Sequence, residues 1–166
     1  MGLWTMSKYK TKFDTRGASE WGVEGEAKFV SACESREYTV EKAEDEDDIY
    51  NHIDYFLIKK DKKISVDVKH LVDKTRAFIE FKNVRGNDGW MYGKADCICF
   101  IVGNKHILVY RKDLLEYMET KMNIKAVPFR MRPEEYYVMY GRSGRKDRYA
   151  MIPPKDLLNV KHLIWR

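Results

Sequence analysis

Three side chains between Ile53 and Lys69 have the types and spacing for phosphodiester chemistry. Asp54 sits at the start of the apolar run Ile-Asp-Tyr-Phe-Leu-Ile, and Asp67 and Lys69 close a second run, Ile-Ser-Val-Asp-Val-Lys. Side chains alternate along a strand, so Asp67 and Lys69 point to one face. The charged stretch Lys59 to Lys63 between the runs reads as a tight turn. Two carboxylates on neighbouring strands can hold a hard divalent cation. A nearby lysine can position a water and offset charge that develops on phosphorus. The opposite face of the same strands carries Ile53, Tyr55, Leu57, Ile64, Val66 and Val68, which is apolar and suits a core.

These strands need a scaffold. The spacing predicts a helix from Ser19, a candidate N-cap, to about Glu34. Val23, Ala27, Val30 and Cys33 form its expected apolar stripe. Glu26 lies four residues before Val30 and seven before Cys33, so it points with that stripe. An acid aimed inward is costly unless it is paired or binds a cation. Arg36 to Val40 reads as a short strand or the exit from the helix, and Glu44 to Asp48 as a solvated acidic loop. Ala77 to Lys82, Ala95 to Val102 and His106 to Tyr110 read as further strands, the last two joined by the turn Gly103-Asn104-Lys105. Lys112 to Lys121 reads as a second helix. Glu135 to Tyr140 and Arg148 to Ile152 are expected to form a hairpin, and Pro153-Pro154 to start a short helix. The expected fold class is α/β or α+β, a mixed central sheet flanked by helices with a C-terminal hairpin and short helix. One domain is expected over residues 1–166: a basic arm (1–17), a core (18–122) and the C-terminal hairpin and helix (123–166).

Composition narrows the partners. A formal net charge of +5 is compatible with a polyanion. The cations cluster: Lys8, Lys10 and Lys12 in the N-terminal arm, and Arg142, Arg145, Lys146 and Arg148 near the expected hairpin tip. Both groups are candidate nucleic-acid contacts through phosphate. No apolar run has the length of a membrane span, and the N-terminus lacks the apolar segment of a signal peptide. The three cysteines, Cys33, Cys97 and Cys99, show no metal or disulfide spacing and read as buried residues in a reducing compartment. A cytoplasmic protein is the expectation.

The constellation of Asp54, Asp67 and Lys69, with Glu26 on a preceding helix, resembles the PD-(D/E)XK nuclease superfamily, which includes restriction endonucleases and Holliday junction resolvases. The resemblance runs from about Ser19 to Val102. Ile53 stands where the motif has proline. The stretches Val66-Asp67-Val68-Lys69, Glu80-Phe81-Lys82-Asn83 and Gly89-Trp90-Met91-Tyr92-Gly93-Lys94-Ala95-Asp96 also look like small phage-encoded members, which implies the cytoplasm of a bacterial host. The resemblance implies a restriction endonuclease-like core and a nuclease dependent on Mg²⁺ or Mn²⁺. Asp54, Asp67 and Glu26 would bind the metal and Lys69 would position the attacking water. DNA is the implied substrate, with RNA left open. A homodimer would suit symmetric cleavage of two strands.

A second register is open. Glu80-Phe81-Lys82 repeats the acid-any-lysine pattern one strand later, with Asp67 then as the first acid and Glu80 as a metal ligand. Asp67 belongs to the site in both. His52 and His70 flank the acids, where each could move a proton or touch a phosphate, or simply be solvated. Trp90 and Tyr92 read as core or rim aromatics rather than base-stacking residues. The expected activity is endonucleolytic cleavage of branched or duplex DNA. A restriction-type or end-degrading nuclease and a non-catalytic nucleic-acid-binding protein of the same fold are the alternatives.

Overall fold

A computed structural model describes the backbone of residues 16–130 and 135–166, with side chains from Glu20 onward. Helix α1 (Arg16–Glu34) leads into β1 (Thr39–Lys42), the short helix α2 (Asp45–Tyr50), β2 (Tyr55–Lys59), β3 (Lys62–His70) and β4 (Ala77–Lys82). A 3-10 turn at Trp90–Tyr92 precedes β5 (Cys97–Val102), β6 (Lys105–Tyr110) and α3 (Arg111–Lys121). Strand β7 (Arg148–Ile152), a 3-10 segment (Pro154–Asn159) and β8 (His162–Trp165) complete the chain. The arm residues Lys8, Lys10 and Lys12 lie outside the described residues.

Six strands form the central sheet, in the order β1-β2-β3-β5-β6-β8. Its pairs are antiparallel except β3 with β5, which run parallel, so the sheet is mixed as expected. The β2–β3 hairpin closes between Lys59 and Lys62, and both turn residues, Lys60 and Asp61, have positive φ (50° and 64°). That is the two-residue geometry whose twist matches the flanking strands.

Each face of the sheet buries its own core. On one side, Phe29 and Cys33 of α1 pack with Leu57, Val66, Cys97, Cys99, Ile101 and Leu108. On the other, Ile98, Phe100, Ile107 and Val109 meet Leu114 and Met118 of α3 and the inner face of a second, two-stranded sheet, β4-β7. The cysteines are free and buried in the first core. No helix among the described residues is long and apolar enough to cross a membrane.

Several expectations change. The buried stripe of α1 is Gly25, Phe29 and Cys33, whereas Val23 and Ala27 are exposed. Burying a phenylalanine contributes up to about 3 kcal/mol, so Phe29 sets the helix rotation. Gly25 allows the close approach: a Cβ there would lie 2.4 Å from His70 Cβ. The acidic run is a helical turn rather than a loop, and its Asp48 is buried. Strand β4 leaves the central sheet and pairs with β7. Residues 135–140 form no regular strand, but Tyr140 bridges to Tyr149 and the Tyr137 N–H donates to Met151 O, so the segment still runs along β7. The tail adds an edge strand, β8, beyond the expected short helix.

Candidate metal and phosphate site

Asp54 lies one residue before β2 begins, beside the point where β3 carries Asp67. Its Oδ2 accepts the Val68 N–H at 2.7 Å. The side chain thus takes a ladder donor that no β2 residue reaches, and the charge-assisted bond fixes the carboxylate. Alternation along β3 turns Asp67 and Lys69 toward the core of the second sheet, and Val66, Val68 and His70 toward α1. Lys69 Nζ is 3.0 Å from Asp67 Oδ1 and 5.5 Å from the centre of the Trp90 ring. Asp67 is only 3% exposed, and with both acids ionised its buried Oδ2 has no hydrogen-bond partner; a proton held by Asp54 would bond to Asp67.

The electrostatics follow from this crowding. Burial, then the neighbouring Asp67 charge, pushes Asp54 well above the usual aspartate range, against the pull of Lys69. Burial raises Asp67 also, with Lys69 opposing. For Lys69, burial disfavours the ammonium, but Asp67, Asp54 and Glu80 outweigh it and hold the amine protonated.

Glu26 stands at the rim of this centre, on the α1 side. Lys42 Nζ contacts its Oε1 at 2.8 Å, sits 3.9 Å from Asp48 Oδ2 and lies over the Tyr55 ring at 4.5 Å. Lys42 and Asp48 were not among the residues expected here. Lys42 had a signal, since alternation places it on the face of Val40, which packs against the α1 core.

Glu80 belongs to the second sheet, yet it lies within electrostatic reach of Lys69. Burial raises its carboxyl, while Lys69 and the Trp90 backbone N–H stabilise the charged form. Gly89 lets its own segment lie against β4, because a Cβ there would meet Glu80 O at 2.6 Å. Lys82 instead points to Asp88, 2.6 Å away, at the exposed end of β4. The structure therefore puts the acid of the second register near the centre and its lysine outside.

The histidines separate. His52, with φ 54°, approaches the Asp88 carbonyl at 3.3 Å, and burial together with Lys69 lowers its pKa. His70 stacks on Trp21 at 3.9 Å on the α1 face, donates from Nδ1 to Trp21 O and receives Trp21 Nε1 on its own carbonyl. It fastens α1 to β3, is half-buried, and lies on the face of β3 opposite Asp67 and Lys69. Trp90 is buried in the core and Tyr92 lies at its rim.

The basic loop before β7 is anchored at both ends. Asp147, 1% exposed, accepts Arg142 Nε at 2.6 Å and Arg142 N–H at 2.9 Å, and lies 3.7 Å from Arg130 Nη1. Arg148 donates to the carbonyls of Ile124 and Ala126 and so serves the fold. Arg142 and Lys146 are exposed and Arg145 is half-buried.

Magnesium commonly binds through one or two carboxylates and completes its shell with water and substrate phosphate. Asp54 and Asp67 supply hard oxygen donors, and the partnerless Asp67 Oδ2 fits that role. Among the described residues, no group of three or more His, Cys, Asp or Glu side chains is set to hold an ion. No family model, no curated protein and no solved structure matches this chain.

Proposed function

We propose that the protein is a metal-dependent deoxyribonuclease that hydrolyses phosphodiester bonds, acting as an endonuclease on branched or duplex DNA. The observation that carries this reading is the buried Asp54–Asp67 pair, with one partnerless carboxylate oxygen and Lys69 at 3.0 Å. Two acids crowded in a low-dielectric site are unfavourable by themselves and become favourable around a divalent cation.

Asp54 and Asp67 would hold Mg²⁺ or Mn²⁺, which supplies charge for a phosphate oxygen and acidifies a bound water. Lys69 stays protonated, so it acts as a positive charge and hydrogen-bond donor to the scissile phosphate and the attacking water, not as the general base. Glu26, held by Lys42, acts at the rim through water rather than by direct contact. Glu80 lies within electrostatic reach of Lys69 and balances its charge. Exposed cations in the loop 142–146 suit contacts to the DNA backbone.

One observation favours a second reading, a nucleic-acid-binding protein without catalysis. Lys42 and Lys69 already neutralise Glu26 and Asp67 within the protein. Incubation with plasmid, linear and four-way-junction DNA in Mg²⁺, Mn²⁺ or EDTA separates the two. Divalent-dependent cleavage that is lost in Asp67→Ala supports the nuclease. No cleavage by the wild type, with salt-sensitive binding retained, supports the binding protein.

A further inference from the structure

The second sheet turns an aromatic face outward next to the acidic centre. Ala77, Ile79 and Phe81 of β4 and Ala150 and Ile152 of β7 fill the core. The outer face pairs Phe78 with Met151 and Glu80 with Tyr149. From Phe78 a line of rings crosses that face: Phe78 to Tyr149 at 5.3 Å, Tyr149 to Tyr140 at 6.4 Å and Tyr140 to Phe129 at 6.1 Å between centroids. The inner pair is buried, with Tyr140 and Tyr149 each 7% exposed, whereas Phe78 and Phe129 are 47% and 60% exposed. Phe78 and Phe129 therefore offer open rings at the two ends of a packed aromatic row.

Cations border the row. Asp147 anchors Arg142 and Arg130, whose side chains keep 51% and 42% of their surface exposed. Arg142 acts electrostatically on both Glu80 and Tyr149, so it lies within reach of both. Arg130 directly follows Phe129. Exposed rings flanked by oriented guanidinium groups match unpaired nucleic acid, whose bases offer flat faces and whose phosphates offer charge. A fully paired duplex hides its base faces and could use only the cations.

We propose that Phe78 and Phe129 form a stacking platform for unpaired DNA, so that the substrate of the neighbouring acidic centre carries a single-stranded segment beside the scissile phosphate. The proposal rests on the nuclease reading for the cutting but not for the binding. It selects forked, flapped or single-stranded DNA over continuous duplex.

The test is fluorescence anisotropy in EDTA, where no metal-dependent cutting occurs. The probes are a labelled oligodeoxythymidine of about 16 nucleotides and a blunt duplex of the same length. Wild type is expected to prefer the single strand. Phe78→Ala and Phe129→Ala should each weaken that binding about tenfold, with duplex affinity changed by about twofold or less. Both side chains are half-exposed, so the variants should melt near the wild-type temperature. Phe78→Leu and Phe129→Leu keep apolar bulk but lose the ring face and should weaken binding as well. Unchanged single-strand binding in the alanine variants, equal losses on both probes, or no wild-type preference for the single strand would each overturn the platform. Self-association abolished by these substitutions, with DNA binding intact, would overturn it too and assign the face to a second copy of the chain. The same assay on Asp67→Ala keeps the two ideas apart. Stacking-dependent binding without any cleavage by the wild type sinks the nuclease and leaves the platform standing.

Discussion

Lys42 holds Glu26 at 2.8 Å, and this pair joins α1 to the edge strand of the sheet at the rim of the acidic centre. The contact divides the acids into two classes. Both acids face a protein cation, Lys42 for Glu26 and Lys69 for Asp67, but Asp67 also keeps a buried oxygen with no partner. Removing the two acids should therefore have unequal effects. Asp67→Asn is expected to lower kcat by at least about 10²–10³-fold, the scale of losing a group that stabilises transition-state charge. Glu26→Gln should cost about tenfold, as for a group that supports metal ligands from outside. Single-turnover cleavage at saturating metal measures both, and equal losses would refute the division.

The crowded carboxylates should make the metal-free protein less stable at neutral pH. The folded state raises Asp54 above its ordinary value of 3.8, so between that value and the raised one it binds more protons than the unfolded chain. Stability is then fully present below the unfolded value and is lost as pH rises through the folded one. Asp54→Asn keeps an acceptor for the Val68 N–H and removes the like charge. In EDTA at neutral pH it should melt about 2–4 °C above wild type, equivalent to about 1 kcal/mol. Thermal melts across pH should show this gap shrinking toward acid.

Metal should reverse that balance. Millimolar Mg²⁺ or Mn²⁺ is expected to raise the melting temperature of the wild type, because a ligand bound only to the folded state stabilises it by mass action. Asp67→Asn should show little of this shift. Differential scanning fluorimetry against EDTA reads it directly, and an equal shift in both proteins would place the ion elsewhere.

Lys69 gives a pH prediction with a definite sign. Its neighbours raise its pKa above that of a free lysine, so it remains charged through the alkaline range used for assays. Lys69→Met should reduce kcat by about 10²-fold or more. It should leave the alkaline limb of the pH–rate profile where it was. A limb that disappears in the variant would show that Lys69 titrates during turnover.

Helix α1 depends on one missing methyl. Gly25→Ala would place a Cβ 2.4 Å from His70 Cβ and 2.9 Å from its Nδ1. That pushes against the ring stacked on Trp21. A loss of about 1–3 kcal/mol is expected, the usual cost of overpacking. Urea unfolding would measure it, and a silent substitution would show that α1 lifts away freely.

Local patterning made the β2–β3 hairpin, the β5–β6 hairpin and the second helix legible, because alternation and turn residues act between near neighbours. It also placed Glu26 on the inward side of α1, although by a stripe that the structure replaces with Gly25, Phe29 and Cys33. What was not legible depends on distant partners. Ala77 to Lys82 has the alternation of any half-buried strand, and only its pairing with Arg148 to Ile152 moves it to a second sheet. The partner of Lys42 is sixteen residues away on α1, and nothing in Thr-Val-Glu-Lys announces it. Asp48 looked like one charge among five, and only the short helix turns it inward.

The three buried thiols carry a practical consequence. Burial pushes Cys33 and Cys97 up to about 12 and Cys99 well above its usual value, so almost no thiolate exists near neutral pH. The native fold is therefore nearly silent to maleimide. A single cysteine introduced on the exposed surface would take a dye alone, giving a one-site reporter for distance measurements on bound DNA without first rebuilding the core.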